Sequence, residues 1–97
     1  MEHGPYRPGT TQAVDVGAAS AAITNAVGSQ TYQVRLIAQE DCHVEFGAAP
    51  TAVAATSMFL AANREEVFSI SPGEKVAVIQ NAAVGSKNLY VTELSHG

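Results

Sequence analysis

The sequence predicts an all-β fold: one antiparallel β-sandwich, jelly-roll-like, of seven or eight short strands behind an extended N-terminal arm. Three observations carry that expectation. Apolar residues recur at alternate positions in Thr11–Val16, Tyr32–Ala38, Cys42–Phe46 and Asn88–Leu94, which is the period of a half-buried strand. Turn-forming residues interrupt the chain about every ten residues, the spacing of a sandwich or jelly roll. Finally, Glu66–Gln80 contains two apolar runs on either side of Ser71-Pro72-Gly73-Glu74. Pro72 presets φ near about −65° and Gly73 supplies the positive φ that a type II turn needs next. Type II geometry suits a two-residue hairpin poorly, so this link is equally able to carry the chain between sheets.

At 97 residues the chain is expected to form one domain, with an arm over residues 1–10 and the sandwich over 11–97. A chain of this size buries roughly 60–70% of its unfolded surface and folds without staples. The single cysteine, Cys42, excludes an intrachain disulfide. Met1-Glu2-His3-Gly4-Pro5 lacks the basic start and apolar core of a secretory signal, and no stretch approaches the roughly 20 apolar residues of a membrane span. Net charge is −4, and Arg7, Arg35, Arg64, Lys75 and Lys87 are scattered, so no basic stripe exists to neutralise phosphates. Nucleic acid is therefore not expected as a partner. Charged residues are only 14% of the chain, against about 25% in an ordinary domain. Such a weakly polar surface is common where a protein packs against neighbours, although an Ala-rich loop composition looks the same.

Taken in order, His3 to Gly9 holds two prolines and two glycines, which exclude a helix. The bland expectation is a frayed terminus. The functional one is an arm over a neighbouring subunit, with Pro5, Tyr6, Arg7 and Pro8 as the contact and Tyr6 as anchor. Thr11–Val16 is the first strand, with Val14 and Val16 on one face. Ala18–Ala26 is rich in alanine but broken by Gly17, Thr24, Asn25 and Gly28, so a short strand near Ser20–Ile23 and then a loop are expected. Tyr32, Val34, Leu36 and Ala38 share a face, as do Cys42, Val44 and Phe46. With only Glu40-Asp41 as a polar break, these two strands are expected to form a hairpin. For Ala52–Ala62 two readings stand: a short helix, favoured by alanine and Pro50, or a long loop leading to a brief strand at Met58–Leu60 beside the Glu66–Gln80 pair. In that pair, Phe68 and Ile70 share a face and Val76–Ile79 is apolar throughout, as for a strand buried on both sides. A loop with Gly85 at its tip precedes the last strand.

Candidate chemistry is sparse. His43 and Glu45 project from one face of a strand, a pair able in principle to bind a metal or move a proton, but a zinc site needs a third ligand. Solvent-facing polar residues at alternate strand positions explain the pair more simply. Cys42 points coreward by parity, as an inert buried thiol does. His3 and His96 lie near the two ends, and Glu65-Glu66 fits a solvated edge. With no phosphate loop, nucleophile elbow or carboxylate pair, the chain is expected to be non-enzymatic, with no metal and no cofactor.

The order CHVEFGAAPTA (Cys42 to Ala52), MFLAANREEVFSISPGEKVAVI (Met58 to Ile79) and LYVTEL (Leu89 to Leu94) resembles small structural proteins of tailed bacteriophages. The likeness spans Tyr32–Leu94 and departs at Ala61, where such proteins often have proline. It implies a β-sandwich virion protein, made in the host cytoplasm: a decoration or cement protein bound as a trimer to the major capsid protein on the outside of the head. Head-fibre, neck or tail accessory roles and a carbohydrate-binding virion module remain alternatives. A sugar-binding module would stack rings on exposed aromatics, for which only Tyr6, Tyr32 and Tyr90 serve.

Overall fold

The computed structural model describes residues 6–83, 85 and 87–96. Its eight strands are β1 (Tyr6–Asp15), β2 (Ala21–Ala22), β3 (Gln33–Ala38), β4 (Cys42–Gly47), β5 (Met58–Leu60), β6 (Glu66–Ser69), β7 (Lys75–Gln80) and β8 (Asn88–His96). Two four-stranded sheets form, in the orders β1-β8-β3-β6 and β2-β7-β4-β5, and every ladder is antiparallel. The first strand pairs with the last, the second with the next to last, and so on inward to β4 and β5. This is a long hairpin rolled up on itself, with the β3·β8 and β4·β7 ladders closing the roll: a jelly roll.

The period-two pattern places the core between the sheets. Val14, Val34, Leu36, Ala38, Leu89 and Val91 face inward from the first sheet, and Cys42, Val44, Leu60, Val76 and Val78 from the second. Register sets them side by side, Leu36 opposite Val91 and Val44 opposite Val78. Full burial of one such aliphatic side chain contributes about 1.5–3 kcal/mol. Ala77 is buried as completely on the other face of β7, so the Val76–Ile79 run does belong to a strand covered on both sides.

Several expectations need correction. The first strand starts at Tyr6, within the expected arm: Tyr6, Arg7 and Pro8 lie opposite His96, Ser95 and Leu94. A register shift between Pro8 and Thr11 absorbs the Pro-Gly pair, and proline is tolerated there because β1 is an edge strand. Pro5 lies outside the described residues. The β3–β4 hairpin does not exist, since the two strands belong to opposite sheets. Gln39–Asp41 turns a corner between them, held by Gln39 N–H to Asn88 O (2.9 Å) and Ala62 N–H to Asp41 Oδ1 (2.8 Å). Alternation is the same for a hairpin and a corner, because both send their apolar face to one core. Tyr32 does not share the buried face; it precedes β3 and is 59% exposed.

The link between β6 and β7 also crosses sheets. Gly73 has φ 84° and Glu74 N–H bonds Ser71 O at 3.1 Å, the turn read from Pro72-Gly73. Between β4 and β5 the chain forms no helix. Thr56 and Ser57 N–H both bond Val53 O (3.1 and 2.7 Å), and Met58–Leu60 pairs with β4, not with β6 or β7.

Candidate functional site

His43 and Glu45 point outward from β4, opposite Ile79 and Ala77 of β7. Over them lies the loop from Ala48 to Ser57. Ser57 Oγ donates to Glu45 Oε1 (2.8 Å) and accepts from Val53 N–H (2.9 Å). His43 Nδ1 donates to the Ser57 carbonyl (3.0 Å), while Nε2 meets the Asn81 side-chain amide at 2.9 Å. The Phe59 ring stands edge-on to the imidazole, with centroids 5.5 Å apart. Ser20 Oγ accepts from Ala52 N–H at 2.8 Å and fixes the far end of the same loop.

Serine, histidine and glutamate thus meet in one place, but their wiring is not that of a nucleophile. A catalytic serine would pass its proton to imidazole, whereas here the hydroxyl donates straight to a carboxylate and the imidazole bonds a carbonyl. Ser57 is buried, so a substrate carbonyl has no approach to it. Asn81, with an oxygen that accepts and an NH2 that donates, supplies a hydrogen-bond partner for Nε2. What the cluster does is clamp the 48–57 loop onto the second sheet, with Ala52 of the loop and Ala77 of β7 both buried. Among the described residues, no three of His, Cys, Asp and Glu come together as metal ligands. Surface solvation of His43, the simpler sequence expectation, is replaced by this clamp. Ser57 and Asn81 had no signal in the sequence, because 14 and 38 residues separate them from His43.

Cys42 is fully buried, and burial, with Asp41 beside it, pushes its thiol up from 9.0 to about 11. It supplies no thiolate at neutral pH. Glu65 pairs with Arg35 at 3.0 Å on the surface. Glu93 is a carboxylate that the alternation did not single out: opposite Val34 in register, it turns toward the sandwich interior at its open end. There it accepts from the Thr31 hydroxyl and from Gly28 N–H (3.1 Å).

Two of the surface recesses are lined by aromatic side chains. Val44, Phe46, Met58 and Phe68 line a groove of ≈ 310 Å³ between the sheets, where Phe46 and Phe68 meet edge to face at 5.6 Å. Three large apolar side chains nearby are exposed: Met58, which lies opposite Val44 and faces the groove, Phe59, which lies opposite His43 on the outer face of the sheet, and Val53 of the clamped loop. The second recess, ≈ 440 Å³, lies between Gln30, Tyr32, Gln33, Leu94 and Ser95. Of the residues expected to hold a partner, Arg7 and Pro8 are exposed on edge strand β1. Comparison of the chain with protein-family models, with curated proteins and with solved structures finds no match.

Proposed function

We propose that this protein is a non-enzymatic structural component of a tailed-phage virion, a decoration or cement protein that docks on the major capsid protein at the outer surface of the head and acts as a homo-oligomer. The observation that carries this reading is the exposure of three large apolar residues, Val53, Met58 and Phe59, on edge strand β5 and the loop before it, within the segment whose sequence resembles phage structural proteins. Large apolar side chains exposed along an edge strand and its preceding loop, on a weakly charged domain, fit an interaction site. The polar residues best suited to chemistry are used internally, His43, Glu45 and Ser57 on the loop clamp and Glu93 on the open end. An acidic balance suits a position outside the shell, away from packaged DNA. The trimer and the contact role of Pro5, Tyr6, Arg7 and Pro8 belong to the same proposal.

Co-sedimentation with undecorated shells tests it. The protein is expected to pellet with assembled shells and to bind isolated capsid subunits far more weakly, since many small contacts act together on a lattice. Phe59→Glu is expected to abolish pelleting while the protein stays folded. Failure of the unaltered protein to pellet would remove the reading. One observation favours a second reading: Tyr32 is 59% exposed beside the Gln30 and Gln33 recess, an aromatic face next to amides of the kind that carbohydrate modules use. Glycan-array binding lost in Tyr32→Ala would support a carbohydrate-binding virion module instead.

A further inference from the structure

The edges of the two sheets are unequal. β2, β5 and β6 are edge strands of two, three and four residues, whereas β1, the remaining edge, has ten. Natural sheets blunt a long edge with lysine, proline, a bulge or a cover. β1 has such protection at Arg7, Pro8 and Gly9, whereas Thr11–Asp15 contains no proline, glycine or basic residue and carries a single charge, at Asp15.

The ladder shows which groups this edge offers. Val16 N–H bonds Lys87 O at 2.9 Å, so by the alternation of an antiparallel pair Val14 and Gln12 also direct their main-chain groups at β8. Thr11, Ala13 and Asp15 therefore direct theirs away from the sheet. All three residues are exposed, and their outward main-chain groups have no partner among the described residues. Gln12 braces the strand from inside, its side-chain amide exchanging bonds with Asn25 N–H (3.0 Å) and Asn25 O (2.9 Å). The edge is thus held straight and open.

We propose that Thr11–Asp15 is a docking edge for the same segment of a second copy of this chain, paired antiparallel about a two-fold axis through Ala13. In that register Ala13 faces the second copy's Ala13, Thr11 faces its Asp15 and Gln12 faces its Val14. The three outward-directed residues then exchange both main-chain bonds with their counterparts. No like charges oppose one another, and small side chains meet at the centre. Thr11 Oγ1 already lies 2.9 Å from Thr92 Oγ1. With Thr92 donating, the Thr11 hydroxyl is free to donate to the second copy's Asp15 carboxylate, so the two acidic groups that flank the axis each gain a donor. The contact is two-fold and separate from any three-fold association, and it holds whether or not the protein belongs to a virion.

A pairing this short buries less than the roughly 1,000 Å² of a stable interface, so it is expected in the upper micromolar to millimolar range. Sedimentation equilibrium over that range, with amide hydrogen exchange at low and high concentration, tests it. The expected result is reversible dimerisation, with exchange at Thr11, Ala13 and Asp15 slowed at least about tenfold at high concentration. Ala13→Pro removes only an outward N–H that the fold does not use, and Ala13→Lys sets two cations across the axis. Both variants are expected to keep the melting temperature to within a few degrees and to lose the dimer. A protein monomeric throughout, or one whose dimer survives both substitutions, would overturn the proposal. So would protection of the three amides only when assembled shells are added, which would give the edge to the shell protein.

Discussion

At the scale of single residues, three positions have roles that substitution can measure. Gly73 holds φ 84° with nothing near the position of a Cβ, so a substitution there is opposed by backbone conformation alone. Gly73→Val is expected to cost about 1–3 kcal/mol and Gly73→Asn clearly less, read from urea unfolding midpoints. Loss of His43 removes two hydrogen bonds and an aromatic edge contact. His43→Ala is expected to cost about 1–2 kcal/mol, and a double-mutant cycle with Ser57→Ala to show coupling between the two, because both hold the same loop. For Cys42 the sign follows from its titration. The unfolded thiol ionises near its ordinary value of 9.0 and the folded one at about 11, so the unfolded state loses its proton first as pH rises. Stability is fully present below pH 9 and declines between pH 9 and 11, by up to about 2–3 kcal/mol for a shift of this size. Melting temperatures across that window are expected to fall more steeply in the unaltered protein than in Cys42→Ala. Cys42 was legible in advance as a buried thiol from parity alone. His43 was not legible as a clamp, because its partners come from a loop and a strand end that only the fold brings near.

The elements divide in the same way. Strand positions were readable where period two ran for several residues, as in β3 and β4, or where an apolar run was unbroken, as in β7, and the Pro72-Gly73 turn was readable because its conformation is local. Strand pairing was not. Gln39–Asp41 is as short as a hairpin loop, yet it is a corner, and the difference lies in Asp41 accepting the Ala62 N–H at 2.8 Å, a partner 21 residues away. The 52–62 segment misled local propensity in the other direction: its alanines favour helix, but the β4 edge offers Met58–Leu60 a ladder and the Ser57 hydroxyl holds the turn ahead of it. At this scale Glu93 is the side chain to test, since it ties β8 to the connection between β2 and β3. Glu93→Ala leaves Gly28 N–H and the buried Thr31 hydroxyl without their acceptor and is expected to cost about 1–3 kcal/mol. Glu93→Gln, which keeps an acceptor oxygen, is expected to cost less in the same urea titration.

For the molecule as a whole, the architecture was legible from strand number and spacing, whereas the strand order was not, because no local feature records which distant strand a given strand will meet. That order has kinetic weight. Apart from β4·β5, every ladder joins strands far apart in the chain, and closing such loops before any contact rewards them is slow. Refolding after dilution from denaturant is expected in milliseconds to seconds, the range of β-sandwiches, not in microseconds. The pairing of Tyr6 with His96 brings the two ends of the described chain side by side. A few added residues would bridge them, and the chain could then be opened at the exposed connection between β7 and β8. Circular permutation of this kind leaves every ladder in place, so a permutant cut near Gly85 is expected to give the same sandwich, with β8 as its first strand and β1 following directly as its neighbour in both sequence and sheet.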